Sequence, residues 1–299
     1  MLAFLKLIRI QNLLIIAFTQ YMIRYCVILP VMGRDSALED FHFFLLSLST
    51  VMIAAAGYVI NDYFDVRIDK VNKPERMVID KGVKRRVAIG AHTVINFLAI
   101  AIALYLSWYM RDWKLVVIYI TAATGLWLYS TTFKRKFLSG NLVIALFTAI
   151  VPFIAAYHEL TRQYSPKPVI LPVIAALSFF AFITTLLREI IKDIEDLEGD
   201  EAYGCKTMPI VLGIPATKNI VILLSLITIC CLGYIQFLMF LDQEIVLVIY
   251  FLFALQLPLL FLTWKVKTAK SKAEFRLAGN TAKFIMLMGV CYLFLYLLN

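Results

Sequence analysis

Charge is what this 299-residue sequence has least of: Asp, Glu, Lys and Arg together make up 16% of it. A soluble globular domain carries about a quarter charged residues and about half apolar ones. Here 62% of residues are hydrophobic and the mean hydropathy is +0.84. A single soluble core of this length cannot hide so much apolar surface, so a soluble enzyme and a disordered chain are both excluded. Cysteine is also scarce. The five cysteines (Cys26, Cys205, Cys230, Cys231 and Cys291) show no C-x-x-C spacing, which excludes a disulfide scaffold and leaves them as packing or lipid-facing residues. The three histidines, His42, His92 and His158, are isolated from one another, so no imidazole metal site is expected. No low-complexity stretch or linker interrupts the chain, and a single domain over 1–299 is expected. The first ten residues carry Lys6 and Arg9 but no small-residue cleavage site, so no cleavable leader is expected.

Long apolar runs fill the remainder. About 20 apolar residues in helix cross a bilayer core, and nine such stretches are present: 11–33, 41–60, 88–110, 113–130, 140–157, 169–187, 218–240, 244–264 and 280–298. The connections between them alternate short and long. The net charge of +9 would suit nucleic acid only if it formed a soluble basic face. Instead the bases lie between apolar segments, so no nucleic-acid partner is expected. Twenty-three Lys and Arg fall on the side of the N-terminus and the long loops, and five (Arg34, Arg111, Lys114, Arg162 and Lys167) on the other. The positive-inside rule then predicts a multi-pass protein of the cell (inner) membrane, N-terminus cytoplasmic and C-terminus outside. Arg24 stands alone inside the first span, where an ionisable residue needs a partner.

The chemistry is carried by carboxylates. Asp62, Asp65 and Asp69 lie in NDYFDVRID after span two, and Asp193, Asp196 and Asp200 in REIIKDIEDLEGD after span six. Both triplets have the spacing i, i+3, i+7, which places them on one helical face. Three like charges on one face repel one another, and a self-repelling pattern that occurs twice calls for a cation. Hard divalent ions take carboxylate and amide oxygens, and Mg²⁺ typically adds substrate phosphate to one or two carboxylates. Two such clusters are therefore expected to hold Mg²⁺ ions with a phosphate group between them, and Asn61 supplies an amide oxygen one turn before Asp65. Arg67, Lys70, Arg76, Lys134, Arg188 and Lys192 flank the clusters, suited to the phosphate oxygens a metal leaves free. Tyr129, Ser130 and Lys134 form one group at a helix end. A transporter is the rival reading, since acids in spans can mark ion paths. Against it, the acids collect at one membrane face and no pair of matching broken spans is visible.

At these motifs the sequence resembles the UbiA superfamily of intramembrane prenyltransferases. N-D-x-x-D-x-x-x-D reads Asn61, Asp62, Asp65, Asp69; N-x-P-x-R reads Asn72, Pro74, Arg76; Y-S-x-x-x-K reads Tyr129, Ser130, Lys134. The second aspartate motif is followed by GCKTMPIVLG from Gly204 to Gly213. The resemblance covers essentially the whole chain. It implies an all-α fold of nine transmembrane helices around a central cavity open to the cytoplasmic side and to lipid. It also implies Mg²⁺-dependent transfer of a polyprenyl group from its diphosphate to a lipophilic acceptor, by way of an allylic cation. On that basis Asn61, Asp65, Asp69, Asp196 and Asp200 are expected as Mg²⁺ ligands, with Asp62 and Asp193 as ligands or their supports. Lys134, Arg76 and Lys192 are expected on the diphosphate, with Arg67 and Arg188 beside it. Tyr129 would orient Lys134 or line the cation path, with Ser130 beside it. Asn12 and Asn141 are acceptor-side candidates, and Arg9 a candidate for an acceptor phosphate. The stretches LIRIQN, NDYFDVRIDKVNKP and REIIKDIEDLEGD are most similar to the branch that prenylates geranylgeranylglyceryl phosphate. The chain departs from the family at Met77–Gly82, where P-[LI]-x-S-G is common, and at Ile10, where Pro is usual. An aromatic acceptor such as 4-hydroxybenzoate or a quinone precursor therefore stays open beside the glycerol hydroxyl. The loop 70–87 is expected to order over the site when donor binds.

Overall fold

The computed structural model describes residues 2–33, 37–162 and 167–298; of Arg76 and Lys167 it describes the backbone only. The described residues form helices α1 (Leu2–Leu7), α2 (Ile10–Met32), α3 (Asp40–Asn72), α4 (Arg85–Met110), α5 (Lys114–Thr131), α6 (Ser139–Ala155), α7 (Tyr157–Thr161) and α8 (Lys167–Glu195), followed by α9 (Leu197–Ala202), α10 (Met208–Leu212), α11 (Ile214–Leu241), α12 (Ile245–Thr268) and α13 (Lys272–Leu298). No strand occurs among them; one isolated bridge, Ile79 to Val83, closes a turn. The protein is an all-helical, multi-pass membrane protein. Among the described residues eight helices are long and apolar enough to cross a bilayer, and a further apolar helix, α6, is shorter. The connections left between the apolar runs at 34–40 and 158–168 lie partly outside the described residues.

The structural boundaries differ informatively from the apolar runs. The second run ends near residue 60, yet α3 is a single helix of 33 residues, about 50 Å long at 1.5 Å per residue. A hydrocarbon core of about 30 Å accounts for only part of that length. The remainder carries the first aspartate motif beyond the apolar segment without a break. Helix α3 stops at Asn72 because Pro74 disfavours helical backbone at Lys73 (φ −148°, ψ 55°). The fifth run was expected over 140–157. Helix α6 instead has 17 residues and contains Pro152, and Ala156 (φ −101°, ψ 8°) separates it from α7. Proline removes a backbone donor and strains the preceding turn. In α2 and α12 the turns Arg24–Ile28 and Phe251–Gln256 are π-helical, next to Pro30 and Pro258.

Contacts divide the chain into two compact units. Unit 1 comprises Met1–Lys134 and Ile150–Ile174, and unit 2 Arg135–Ala149 and Ala175–Asn299. In unit 1, Phe43, Leu46 and Ile53 of α3 pack with Ala99, Ala103 and Leu106 of α4 and Leu115 and Tyr119 of α5. Alanines four apart on α4 let the α3 backbone approach closely, the usual device where lipid gives helices no hydrophobic reason to associate. A smaller cluster of Leu7, Val59, Val66, Ile79 and Ala88 fastens α1 and the loop 73–84 to the motif end of α3. The core of unit 2 is built from Leu187, Ile190 and Ile191 of α8, Val221 of α11, Leu259, Leu262 and Val266 of α12, and Phe275, Ala278 and Ile285 of α13.

Candidate functional site

In unit 1 the α3 extension presents Asn61, Asp62, Asp65 and Asp69. Asn61 and Asp65 are buried, while Asp62 and Asp69 are half-buried. Lys134 stands just beyond α5, in a short 3₁₀ turn Phe133–Arg135, and its ammonium is ion-paired with the Asp65 carboxylate. Arg9 occupies the break between α1 and α2, with left-handed backbone (φ 52°, ψ 55°). That break turns its side chain onto α3, where Nη2 meets Asp62 Oδ1 at 2.7 Å and the guanidinium lies 4.9 Å from the Tyr58 ring centroid. Burial opposes the Arg9 charge, but Asp62, then Tyr58 and Asp65, more than offset it, and the net shift of its pKa is upward. Arg9 thus stays cationic at every accessible pH.

The resemblance implies Mg²⁺, and the donor chemistry of this cluster fits it. All the candidate ligands offer oxygen, the preference of a hard divalent ion. Among the described residues the buried Asn61 amide oxygen accepts no hydrogen bond, and Nδ2 makes a long 3.5 Å contact with Asp62 Oδ1. A buried acceptor left unsatisfied costs free energy, and a cation offsets that cost. Among the described residues no three His, Cys, Asp or Glu side chains converge on one point. Two of the three aspartates here make ion pairs, with Lys134 and Arg9.

The other expected residues of unit 1 are less concentrated. Tyr129 and Ser130 are buried at the end of α5, and the Ser130 hydroxyl donates back to the Leu126 carbonyl at 2.9 Å. Asn12 is half-buried on α2. Arg67 is exposed and makes no ion pair among the described residues. The Arg76 side chain lies outside the described residues. The loop 73–84 has its own bonds, including Lys81 Nζ to the Pro74 carbonyl at 2.7 Å and Arg85 Nε to Asp80 at 3.1 Å. Arg24 finds its partner in Asp40, at 2.5 Å, with its guanidinium 4.5 Å from the Phe43 ring centroid.

In unit 2 the equal spacing of the second triplet does not give an equal shape. Helix α8 ends at Glu195, and Asp196 (φ −97°, ψ 9°) starts the short helix α9. Asp193 therefore closes one helix, Asp196 sits at the bend, and Asp200 is buried within α9. Asn141, at the start of α6, donates from Nδ2 to Asp193 Oδ2 at 2.8 Å. Arg188 and Lys192 are both drawn to Glu189, the latter at 3.7 Å. Glu189 went unremarked in the sequence, although it precedes Asp193 by one helical turn and Lys192 by three residues. Glu195 likewise holds Arg276 of α13 at 2.9 Å. The GCKT segment is tied by the Lys206 amide, which donates to the Arg135 carbonyl at 2.8 Å.

The description of the UbiA prenyltransferase family matches residues 26–297. Digeranylgeranylglyceryl phosphate synthase of Methanobrevibacter smithii is 33% identical over 248 residues, which cover 82% of this chain and 86% of that protein. Among solved structures, one that concerns the biosynthesis of digeranylgeranylglyceryl phosphate synthase in membranes shares the fold with a TM-score of 0.63 at 20% identity, covering 99% of this chain and 97% of the other. A UbiA homologue of Archaeoglobus fulgidus bound to DMAPP and Mg²⁺ gives a TM-score of 0.61 at 18% identity, with 98% of each chain covered.

Proposed function

The chain belongs to the UbiA prenyltransferase family, and from that premise we propose that it moves a geranylgeranyl-like polyprenyl group from its diphosphate to the glycerol hydroxyl of geranylgeranylglyceryl phosphate. The observation that carries the acceptor is the identity of 33% with a synthase of that name over 82% of the chain. The proposed setting is the cell membrane, with a cytoplasmic N-terminus and an outer C-terminus, and the chain is read as one functional domain.

In this reading Asn61, Asp65 and Asp69, and in unit 2 Asp196 and Asp200, hold Mg²⁺, with Asp62 and Asp193 as further ligands or supports. Mg²⁺ when bound supplies Lewis-acid stabilisation of the leaving pyrophosphate. Lys134, Arg76 and Lys192 hold diphosphate oxygens, with Arg67 and Arg188 as outlying charges, and their fixed cations favour the charge that develops as the C1–O bond breaks. The bonding pair leaves with pyrophosphate. Apolar spans keep the allylic cation from water, and Tyr129 and Ser130 sit where Lys134 leaves α5. The acceptor oxygen then forms its bond to C1, and its proton passes to the released pyrophosphate. Arg9, permanently charged, is placed to take an acceptor phosphate, with Asn12 and Asn141 as acceptor-side groups.

An acceptor competition tests this. Purified protein in nanodiscs, Mg²⁺ and labelled geranylgeranyl diphosphate are offered geranylgeranylglyceryl phosphate and 4-hydroxybenzoate together, with Asp65→Ala and Asp196→Ala as controls. Label in a phosphate-bearing diether, lost in both variants, is the expected result. Label in the aromatic product would keep the donor site and overturn the acceptor.

A further inference from the structure

We propose that Glu189 is the resting counter-ion of the donor site. It holds Arg188 and Lys192 while the site is empty, gives them up to an arriving diphosphate, and takes them back as pyrophosphate leaves. The inference rests on the reading of these two cations as diphosphate-facing. It gives Glu189 a positioning role that neither aspartate motif contains.

The geometry of α8 makes the pairing specific. Glu189 precedes Asp193 by one turn, so the two carboxylates are offset by only about 40° around the helix. Lys192 follows Glu189 by three residues, a spacing at which helical side chains meet, and its Nζ lies 3.7 Å from Glu189 Oε2. Arg188 is different. Adjacent residues on a helix point about 100° apart and do not face each other, yet Arg188 Nη1 is ion-paired with Glu189 Oε1. The guanidinium is therefore bent along the helix surface towards the face of the second motif, and the acid is what draws it there. Each carboxylate oxygen has its own cation.

Depth sets the direction of the exchange. The Glu189 side chain is 9% exposed, against 30% for Arg188 and 22% for Lys192. The acid is the deep member of the trio, and the cations are the members an incoming anion can reach. A diphosphate has more charge than a carboxylate and more oxygens to accept the paired donors of a guanidinium, so it can compete for both cations. Stripping them from Glu189 leaves a buried charge without partners, which is costly. That cost is the pull with which Glu189 reclaims them, so diphosphate is retained less tightly than two uncommitted cations would hold it. Asp193 is anchored separately, by Asn141 Nδ2 at 2.8 Å, and the exchange leaves that bond in place.

The test is equilibrium binding of radiolabelled pyrophosphate, with Mg²⁺, to the full chain in nanodiscs. Glu189→Gln is expected to lower the Kd for pyrophosphate about tenfold, the scale of one charge-assisted contact released, at an unchanged Mg²⁺ requirement. Glu189→Asp, which keeps the charge on a shorter arm, is expected to shift Kd in the same direction by a smaller factor, and it serves on its own if the glutamine variant does not fold. In an Arg188→Gln, Lys192→Gln background, adding Glu189→Gln is expected to leave Kd unchanged, because no cation remains to be released. An equal gain in both backgrounds would mean a plain field effect and would overturn the exchange. Weaker binding by either single variant would make Glu189 a support for the site, and a raised Mg²⁺ requirement would make it a metal ligand; each overturns the assignment. No pyrophosphate binding by the wild type would overturn the diphosphate reading beneath it, whereas equal binding by wild type and both Glu189 variants would overturn this assignment alone.

Discussion

The Lys134 ammonium is ion-paired with the Asp65 carboxylate, 69 residues away in sequence, so that a cation and a candidate metal ligand share one partly buried position. Either residue alone has a second task in the proposed reaction: Lys134 on the diphosphate, Asp65 on the metal. Removing Lys134 leaves Asp65 buried beside Asn61 without that counter-charge, which raises the affinity for a competing cation. Lys134→Met is therefore expected to lower kcat by about 10²-fold, the scale for loss of one charge-stabilising donor, while the Mg²⁺ concentration for half-maximal rate falls. Steady-state kinetics over a Mg²⁺ series checks it; an unchanged or increased Mg²⁺ requirement would count against shared occupancy.

Arg9 and Asp62 form the second pair, at 2.7 Å. The Arg9 side chain is about one-third exposed, so the pair contributes on the order of 1 kcal/mol or less to folding. A larger functional effect is expected if Arg9 takes the acceptor phosphate. Arg9→Gln should raise KM for the phosphate-bearing acceptor about tenfold or more, the loss of one charge-assisted contact, with KM for the donor unchanged. Equal changes in both KM values would place Arg9 as a support for Asp62 instead.

The pH response has a specific sign. Burial, with Arg162 and His42 adding to it, pushes the His158 imidazole down to about 4 from the usual 6.5. The folded protein thus favours neutral His158, and the unfolded chain binds the proton first as the solution is acidified. The stabilising contribution is complete above about pH 6.5 and is lost as pH falls towards 4. Burial pushes the Glu159 carboxyl upward, which acts in the opposite sense, so the test has to isolate the histidine. The apparent unfolding midpoint of the wild type, followed from pH 7 to 4, is expected to fall further than that of His158→Asn. Parallel curves would refute the assignment.

Much of the fold was legible because lipid imposes a single simple demand, apolar residues over a helix of fixed minimum length. That demand locates α4, α5 and α11 to within a few residues, but it says nothing about where a helix stops once it leaves the apolar layer. The ends of α3 at Asn72 and α8 at Glu195 therefore lay well past the apolar runs. The aspartates were legible through their spacing, yet the bend at Asp196 was not, since spacing fixes a face only while the helix continues. Pairings across the fold were hidden for a different reason. Arg9 meets Asp62 over 53 positions, and only a folded α1–α2 break brings them together. Glu189 could have been found: a carboxylate one turn before Asp193 and flanked by Arg188 and Lys192 is the composition of a neutralised cluster. Arg24 announced its need for a partner by its depth, and Asp40 answered it from the next helix.

Two glycines of α13 separate close packing from open space. A Cβ built at Gly289 would lie 2.1 Å from Phe180 Cε1 and 2.7 Å from Cδ1, whereas at Gly279 it would meet nothing within 4 Å. Gly289 is buried against the α8 ring, so Gly289→Ala forces Phe180 to shift in a packed interior and is expected to cost about 1–3 kcal/mol. Gly279→Ala meets no obstacle and gains helix propensity, about 0.5–1 kcal/mol in the stabilising direction. The pair is measured by thermal unfolding in one detergent, where opposite shifts of the midpoint are expected. Combining Gly289→Ala with Phe180→Leu should recover part of the loss, because leucine lacks the nearest colliding atom, Cε1, and recovery is only partial because it keeps a Cδ1. If the double variant is no more stable than Gly289→Ala alone, the close approach of α13 to α8 at this position is not what the glycine provides.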